Sequence, residues 1–300
     1  MMILRACRRM YCTPTMKKQR VLITGGTDGI GREAAEQFAK AGHEVTISGR
    51  SQTRANEVIE KCVAQFQSKV KFIECDLSDI KKTTEFAEIV ALEKFDIYVM
   101  NAGVMHPKIH ETKDGHDMTI MTNLIAPYII CQEVLKRRAE KQNVHFVFVT
   151  SILLKFFSVS SVGTLMFNPE NVDSWQKATE SNGTSGAVKY TISKIGQATM
   201  AAMVNNLNLE GVTATSVHPG TVITNIMNGL PSRHLMYIKM CKPFITEKEQ
   251  AGANLVKAAL SPLPPNMYYL AHKEAKLPKI VSSSETLTAF SINFEKFLKL

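Results

Sequence analysis

Tyr190 and Lys194 stand four residues apart in the run Ala187-Val188-Lys189-Tyr190-Thr191-Ile192-Ser193-Lys194, which continues with Ala198, Ala201, Ala202 and Val204 at helical spacing. On a helix the two share a face, so a phenol lies beside an ammonium. Alone, such a pair is most often a surface contact. A second group of residues suits phosphate chemistry. Gly25, Gly26, Thr27, Asp28, Gly29, Ile30 and Gly31 follow the aliphatic run Arg20–Thr24 and precede the periodic Ala34, Ala35, Phe38 and Ala39. Strand, tight turn and helix in that order let backbone approach a ligand and aim a helix N-terminus at a pyrophosphate. The glycine spacing departs from G-x-G-x-x-G, and a plain tight turn competes with this reading.

The elements that would position these residues alternate along the chain. A second strand, residues 43–48, ends at Gly49-Arg50. The place where a carboxylate would grip a ribose 2′-hydroxyl holds Gly49, followed by Arg50. An arginine there pairs with a 2′-phosphate, which favours NADP over NAD. A charged helix over about 52–66 leads to a third strand, 70–75, closed by Asp76-Leu77-Ser78. The next helix puts Phe86, Ile89, Val90 and Leu92 at apolar positions, and a fourth strand, 95–100, ends at Asn101-Ala102-Gly103. A long helical segment over about 117–139 carries Asn123 before Pro127, a pattern for a kink that frees backbone groups. The fifth strand, 144–149, ends at Thr150-Ser151. After a polar, turn-rich stretch (168–187) and the Tyr190 helix, a sixth strand, 212–217, runs into His218-Pro219-Gly220-Thr221. A helix over about 247–260 and a last strand, 266–270, complete the sheet. With no hairpin signal, the alternation predicts an α/β fold: one doubly wound parallel sheet with helices on both faces. Ligands bind outside the carboxyl ends of such strands.

Composition bounds the rest. Hydrophobic residues make up 45% and charged residues 21%, enough for a large core. Six of the 36 basic side chains lie in residues 1–20, which hold no acid, leaving 30 against 27 acids elsewhere. A body of net +3 argues against a nucleic-acid partner. The tail, residues 1–19, is arginine-rich and acid-free as mitochondrial presequences are; an untargeted tail and a start at Met16 stay open beside that reading, and otherwise the protein is cytoplasmic or membrane-associated. The six cysteines form no C-x-x-C pair, as expected of a reduced intracellular protein. His106, His110 and His116 are spaced as a loop, and no metal site is expected. Asn182-Gly183-Thr184 fits a glycosylation sequon, without a secretory signal to use it.

Taken together, the parts over about residues 20–270 resemble the short-chain dehydrogenase/reductase family. The resemblance rests on the Thr24-Gly25-x-x-x-Gly29-x-Gly31 loop, Asp76-Leu77, Asn101-Ala102-Gly103, Tyr190-x-x-x-Lys194 and Pro219-Gly220, each on its expected element. It implies a Rossmann-type fold, domain 20–300, and a catalytic set of Asn123, Ser151, Tyr190 and Lys194. It further implies cofactor contacts from Gly25, Thr27, Asp28, Gly29, Ile30, Gly31, Arg50, Asp76, Leu77, Asn101, Ala102, Gly103, Tyr190, Lys194, Pro219, Gly220 and Thr221. In this reading Lys194 and an oxidised nicotinamide lower the Tyr190 pKa. Tyr190 exchanges a proton with the substrate oxygen, Ser151 holds that oxygen, and Asn123 holds a water that links Lys194 to solvent. The 39-residue gap between Ser151 and Tyr190 is similar to the retinol-dehydrogenase and WW-domain-oxidoreductase branch, with Ser158, Ser160 and Ser161 as alternatives. Asp28 stands where many NADP users carry a base.

The expected reaction interconverts an alcohol and a carbonyl. The apolar 152–167 loop and the methionine-bearing 222–245 segment, read as a substrate cover, point to a retinoid, steroid or long-chain ketone, with a broad carbonyl reductase as a variant. A homo-oligomer is expected, and peripheral membrane contact through the apolar loop is the minor alternative. A catalytically silent nucleotide-binding regulator or scaffold is the rival reading. The C-terminal stripe Phe290, Phe294, Phe297 and Leu298 is read as core or subunit packing, ahead of membrane contact.

Overall fold

Strands alternate with helices from Arg20 onward in a computed structural model that describes residues 17–105, 110–152, 154, 168–180, 186–222 and 245–299. Outside the described residues lie the basic tail through residue 16, His106, the sequon, residues 223–244 of the cover, and nearly all of the 152–167 loop, including Ser158, Ser160 and Ser161. The strands are β1 (Arg20–Thr24), β2 (Glu44–Gly49), β3 (Val70–Glu74), β4 (Ile97–Met100), β5 (Val144–Val149), β6 (Val212–His218), β7 (Met267–Leu270) and β8 (Lys273–Lys276). They form one sheet in the order β3-β2-β1-β4-β5-β6-β7-β8. All neighbours from β3 to β7 are parallel, and β8 returns antiparallel to β7.

Period-two alternation explains why the strands read as unbroken apolar runs. Val21 and Ile23 of β1, Ile97 and Val99 of β4, and Val147 and Val149 of β5 enter one core. Leu22, Tyr98, Met100, Phe146 and Phe148 enter the other. Each face is covered, as a parallel sheet requires. α1 (Gly29–Lys40), α2 (Gln52–Phe66) and a later helix, Lys248–Leu260, cover the first face with Phe38, Val58 and Leu255. α3 (Ile80–Glu93), α4 (Met118–Arg137), and the helices Gly186–Asn206 and Ser284–Phe294 cover the second with Phe86, Leu124, Ile195 and Phe290. The chain winds outward from β1 to β3, then returns to pair β4 on the other side of β1. That reversal opens a crevice at the carboxyl ends of β1 and β4.

Several local expectations change. Val172–Thr179 forms a helix, α5, inside the stretch read as turn-rich; Asn171 caps it and Trp175 is buried. The helices after it are α6 (Gly186–Asn206), α7 (Lys248–Leu260), α8 (Lys279–Ser282) and α9 (Ser284–Phe294). β8 extends the sheet beyond the expected last strand; its Lys-Glu-Ala-Lys sequence suits a solvated edge and so reads as loop. On α3, Phe86 and Val90 are buried but Ile89 and Leu92 are exposed, because Ala87 and Ala91 complete the inner face. Phe290, Phe294 and Phe297 are buried in the core, the first two against Trp175 at 4.9 and 5.7 Å, while Leu298 is exposed. α4 is long and apolar enough to cross a membrane, yet 78% of that stretch is buried inside the fold.

Candidate active site

The glycine turn leaves β1 at the crevice and is fastened to β4. Gly25 takes φ +66°, and a Cβ there would stand 2.9 Å from the Ala102 backbone. At Gly31 a Cβ would collide with the Gly25 carbonyl and the Asn101 amide. Only glycine lets α1 begin this close to the loop. Asn101 Nδ2 donates to the carbonyls of Thr24 and Gly25 at 3.0 and 3.2 Å. The backbone N–H groups of Asn101 and Ala102 both donate to Thr24 Oγ1 at 3.1 Å. Thr24, the first residue of the glycine motif, is the point where the two strands are stitched together.

Around the loop, Asp28 caps α1 by accepting from Gly29 N at 2.7 Å, and its other oxygen pairs with Arg54 at 3.4 Å. Thr27 is buried and Ile30 partly so. Arg50 is exposed at the end of β2. Arg54, which sequence reading passed over, brings a second guanidinium to the loop's rim; its four-residue spacing from Arg50 was the available signal. Asp76 accepts from Ser78 N and Oγ at 3.1 and 2.8 Å, and Leu77 is buried in the core. Across the crevice, the Pro219 carbonyl accepts from Asn254 Nδ2 at 2.8 Å, Gly220 adopts φ +119°, and Thr221 bridges to Ile245.

The second cluster joins α4, β5 and α6. Ser151, at the exit of β5, hydrogen-bonds with Tyr190 through its side chain. Lys194 Nζ lies 5.5 Å from the Tyr190 ring centre and donates to the Val149 carbonyl at 2.7 Å. Residues 121–125 of α4 form a π-helical turn centred on Asn123. In an α-helix the Asn123 carbonyl would accept from residue 127, but Pro127 has no N–H. The expected kink is therefore a widened turn, and the freed carbonyl accepts from Gln197 Nε2 at 2.8 Å. The Asn123 side chain is also engaged: Oδ1 accepts from Val104 N at 2.8 Å, and Nδ2 donates to Val104 O at 2.9 Å and Ser193 Oγ at 3.1 Å. The Gln197 side chain also joins the Asn123 backbone to Lys194. Gln197 Oε1 accepts from Lys194 Nζ at 3.1 Å.

Burial sets the electrostatics. It pulls the Lys194 ammonium down to about 7. It pushes the Tyr190 phenol up to about 12, against a hydrogen bond from Ser151 that works the other way. The expectation of a lowered tyrosine is reversed among the chain's own groups, because desolvation of a phenolate outweighs one hydroxyl donor. His218, at the end of β6, is lowered to about 4 by burial and by the nearby charge of Lys194. Tyr190 thus stays protonated across the neutral range. A Cβ at Gly103 would lie 3.3 Å from Asn123 Oδ1 and 3.6 Å from Lys194 Nζ, so the backbone after β4 runs against this cluster. The backbone of residues 101–103 thus touches both the glycine loop and the tyrosine–lysine cluster.

Known proteins resemble this chain. Residues 19–160 match the family model for short chain dehydrogenases. The short-chain dehydrogenase chyC of Penicillium rubens is 31% identical over 208 residues, covering 69% of this chain and 72% of that protein. The WW domain-containing oxidoreductase of Gallus gallus is 26% identical over 249 residues, 80% of this chain but 57% of that protein, so the chain spans little more than half of this relative. Polyprenol dehydrogenase of Homo sapiens is 31% identical over 139 residues, 44% of this chain and 42% of that protein. Among solved structures, a short-chain dehydrogenase from Sphingobium yanoikuyae in complex with NADPH superposes with a TM-score of 0.60 at 20% identity, covering 80% of this chain and 83% of that one. That likeness concerns the fold. With the motifs in order on the elements that carry them, the chain belongs to the short-chain dehydrogenase/reductase family of oxidoreductases.

Proposed function

We propose that the protein is an NADP-dependent oxidoreductase that interconverts an alcohol and a carbonyl on a hydrophobic substrate. The carrying observation is the Ser151–Tyr190–Lys194 cluster against Gly103, beside the glycine turn. The residues fit a dinucleotide: Gly25 and Gly31 leave the cradle that side chains would fill, and α1 begins there with its positive end. Bound in this crevice, the cofactor supplies the hydride. Arg50 and Arg54 would meet a 2′-phosphate, and pairing between Arg54 and Asp28 accounts for an acid at the loop. Tyr190 donates its proton to the substrate oxygen during reduction and takes it back in the reverse direction. Ser151 donates a hydrogen bond to that oxygen and orients it. Among the described residues, two of the three Lys194 donors are held, by Val149 and Gln197, and the third would serve a ribose hydroxyl. The polyprenol-handling relative and the apolar 152–167 segment support a long-chain, retinoid-like or steroid-like substrate.

The test is a fluorescence titration of the purified chain with NADPH and NADH, beside Arg50→Ala. Tight NADPH binding that weakens about tenfold or more in the variant supports the phosphate contact. Equal or better NADH binding removes it. Tyr190→Phe then separates enzyme from binder: cofactor binding persists, and turnover of hydrophobic ketones is lost only if the protein catalyses.

A further inference from the structure

The Gln197 amide stands between two groups of the cluster, and their chemistry fixes its orientation. Nε2 donates to the Asn123 carbonyl at 2.8 Å, and Oε1 accepts from Lys194 Nζ at 3.1 Å. An ammonium only donates and a carbonyl only accepts, so a flipped amide would set donor against donor and acceptor against acceptor. Gln197 is fully buried, and its place three residues after Lys194 puts both on one face of α6. Pro127 leaves the Asn123 carbonyl without its α-helical donor, so the π turn provides a fixed anchor for the amide.

We propose that Gln197 is a positioning residue for Lys194: its oxygen holds the ammonium beside Tyr190 and sustains its positive charge, while its N–H, anchored on the π turn, keeps that oxygen in place. This rests on the reading of Tyr190 and Lys194 as the acid–base pair. A buried ammonium needs such an acceptor, since hydrogen bonds to the charged form oppose the loss of water. Among the described residues, the titratable groups near Lys194 are Tyr190 on its own helix and His218 on β6. The neighbours from α4 and β5, Asn123 and the Val149 carbonyl, carry no charge. His218 stays neutral wherever Lys194 titrates, so the lysine transition can be read alone.

The test is a pH titration of the full chain labelled with 13Cε-lysine, the Lys194 resonance assigned by its loss in Lys194→Arg. Gln197→Leu, close in size but without an acceptor, lowers the Lys194 midpoint by about one pH unit, and Gln197→Glu raises it by at least about as much. A Lys194 midpoint unmoved in both variants, even with lowered thermal stability, is what a merely structural glutamine predicts and overturns the proposal. In the wild type, the Gln197 side-chain amide resonance must shift with the same midpoint as Lys194. An amide signal that stays still overturns the proposal whether or not the variants fold. Assayed with NADPH and a hydrophobic ketone, Gln197→Leu loses about tenfold in kcat with KM changed less than about twofold. Because the titrations need no substrate, a wild type without turnover counts against the acid–base reading and leaves the Gln197–Lys194 coupling measurable.

Discussion

At Tyr190 the chain sets one strong influence against a weak one: burial lifts the phenol to about 12, and the Ser151 hydrogen bond offsets part of that rise. Ser151→Ala removes the bond, so the phenol rises further and the substrate oxygen loses its donor. We expect turnover in the Ser151→Ala protein to fall by about two orders of magnitude while NADPH affinity stays within about twofold. Single-turnover and binding measurements on one preparation check this, and an active Ser151→Ala protein would hand the role to another hydroxyl. The residues that announce themselves in sequence are those with fixed local spacing, such as Tyr190 with Lys194 or Gly29 with Gly31. The anchoring bonds of Gln197 and Thr24 do not, since those partners, Asn123 and Asn101, lie 74 and 77 residues away; Thr24 is marked only as the first residue of the glycine motif.

At the scale of elements, the β1–β4 junction carries the site, and Thr24 holds it. Its buried hydroxyl accepts two backbone N–H groups; that of Asn101 also reaches the Val99 carbonyl at 3.0 Å, and that of Ala102 has no other partner among the described contacts. Thr24→Val keeps the shape and orphans the Ala102 donor, at a cost of about 1–3 kcal/mol by urea unfolding. Cofactor affinity should drop with it, because the backbone at Ala102, against which Gly25 packs, is then held less firmly; a variant as stable and tight-binding as wild type would show that the stitch is redundant. The alternation of strands and helices was readable because both faces of the sheet are buried, which makes each strand an apolar run. β8 and α5 escaped because neither shows that signal: one is a charged edge, and the other has a single large anchor, Trp175. The π turn was half visible, as an asparagine four residues before a proline. What answers the freed carbonyl came only from tertiary structure.

Over the whole molecule, the buried histidines set the acid limit. His145 on β5 is held at about 4 by burial, with Nδ1 bonded to Thr213 Oγ1 at 2.8 Å and Nε2 near the Ala258 carbonyl at 3.3 Å. His218 sits at about 4 for similar reasons, with the charge of Lys194 adding to burial. In the unfolded chain both return to near 6.5, so below that pH the unfolded state binds protons that the fold refuses. The sign follows: their contribution is present above about 6.5 and is lost as pH falls toward 4. At pH 5 each histidine costs about 2 kcal/mol relative to pH 7. Lys194 acts elsewhere on the scale. Its folded value near 7 lies below the ordinary 10.5, so the unfolded chain holds the extra proton between those limits, and stability from this group rises with pH there. Urea midpoints at pH 5, 7 and 9 separate the two effects. His145→Gln, which keeps side-chain hydrogen-bonding groups on β5 but cannot charge, should remove about 2 kcal/mol of the loss between pH 7 and 5 and leave the rise above pH 7 intact. An unchanged acid loss in that variant would assign the acid limit to groups other than His145, with His218→Gln as the next measurement.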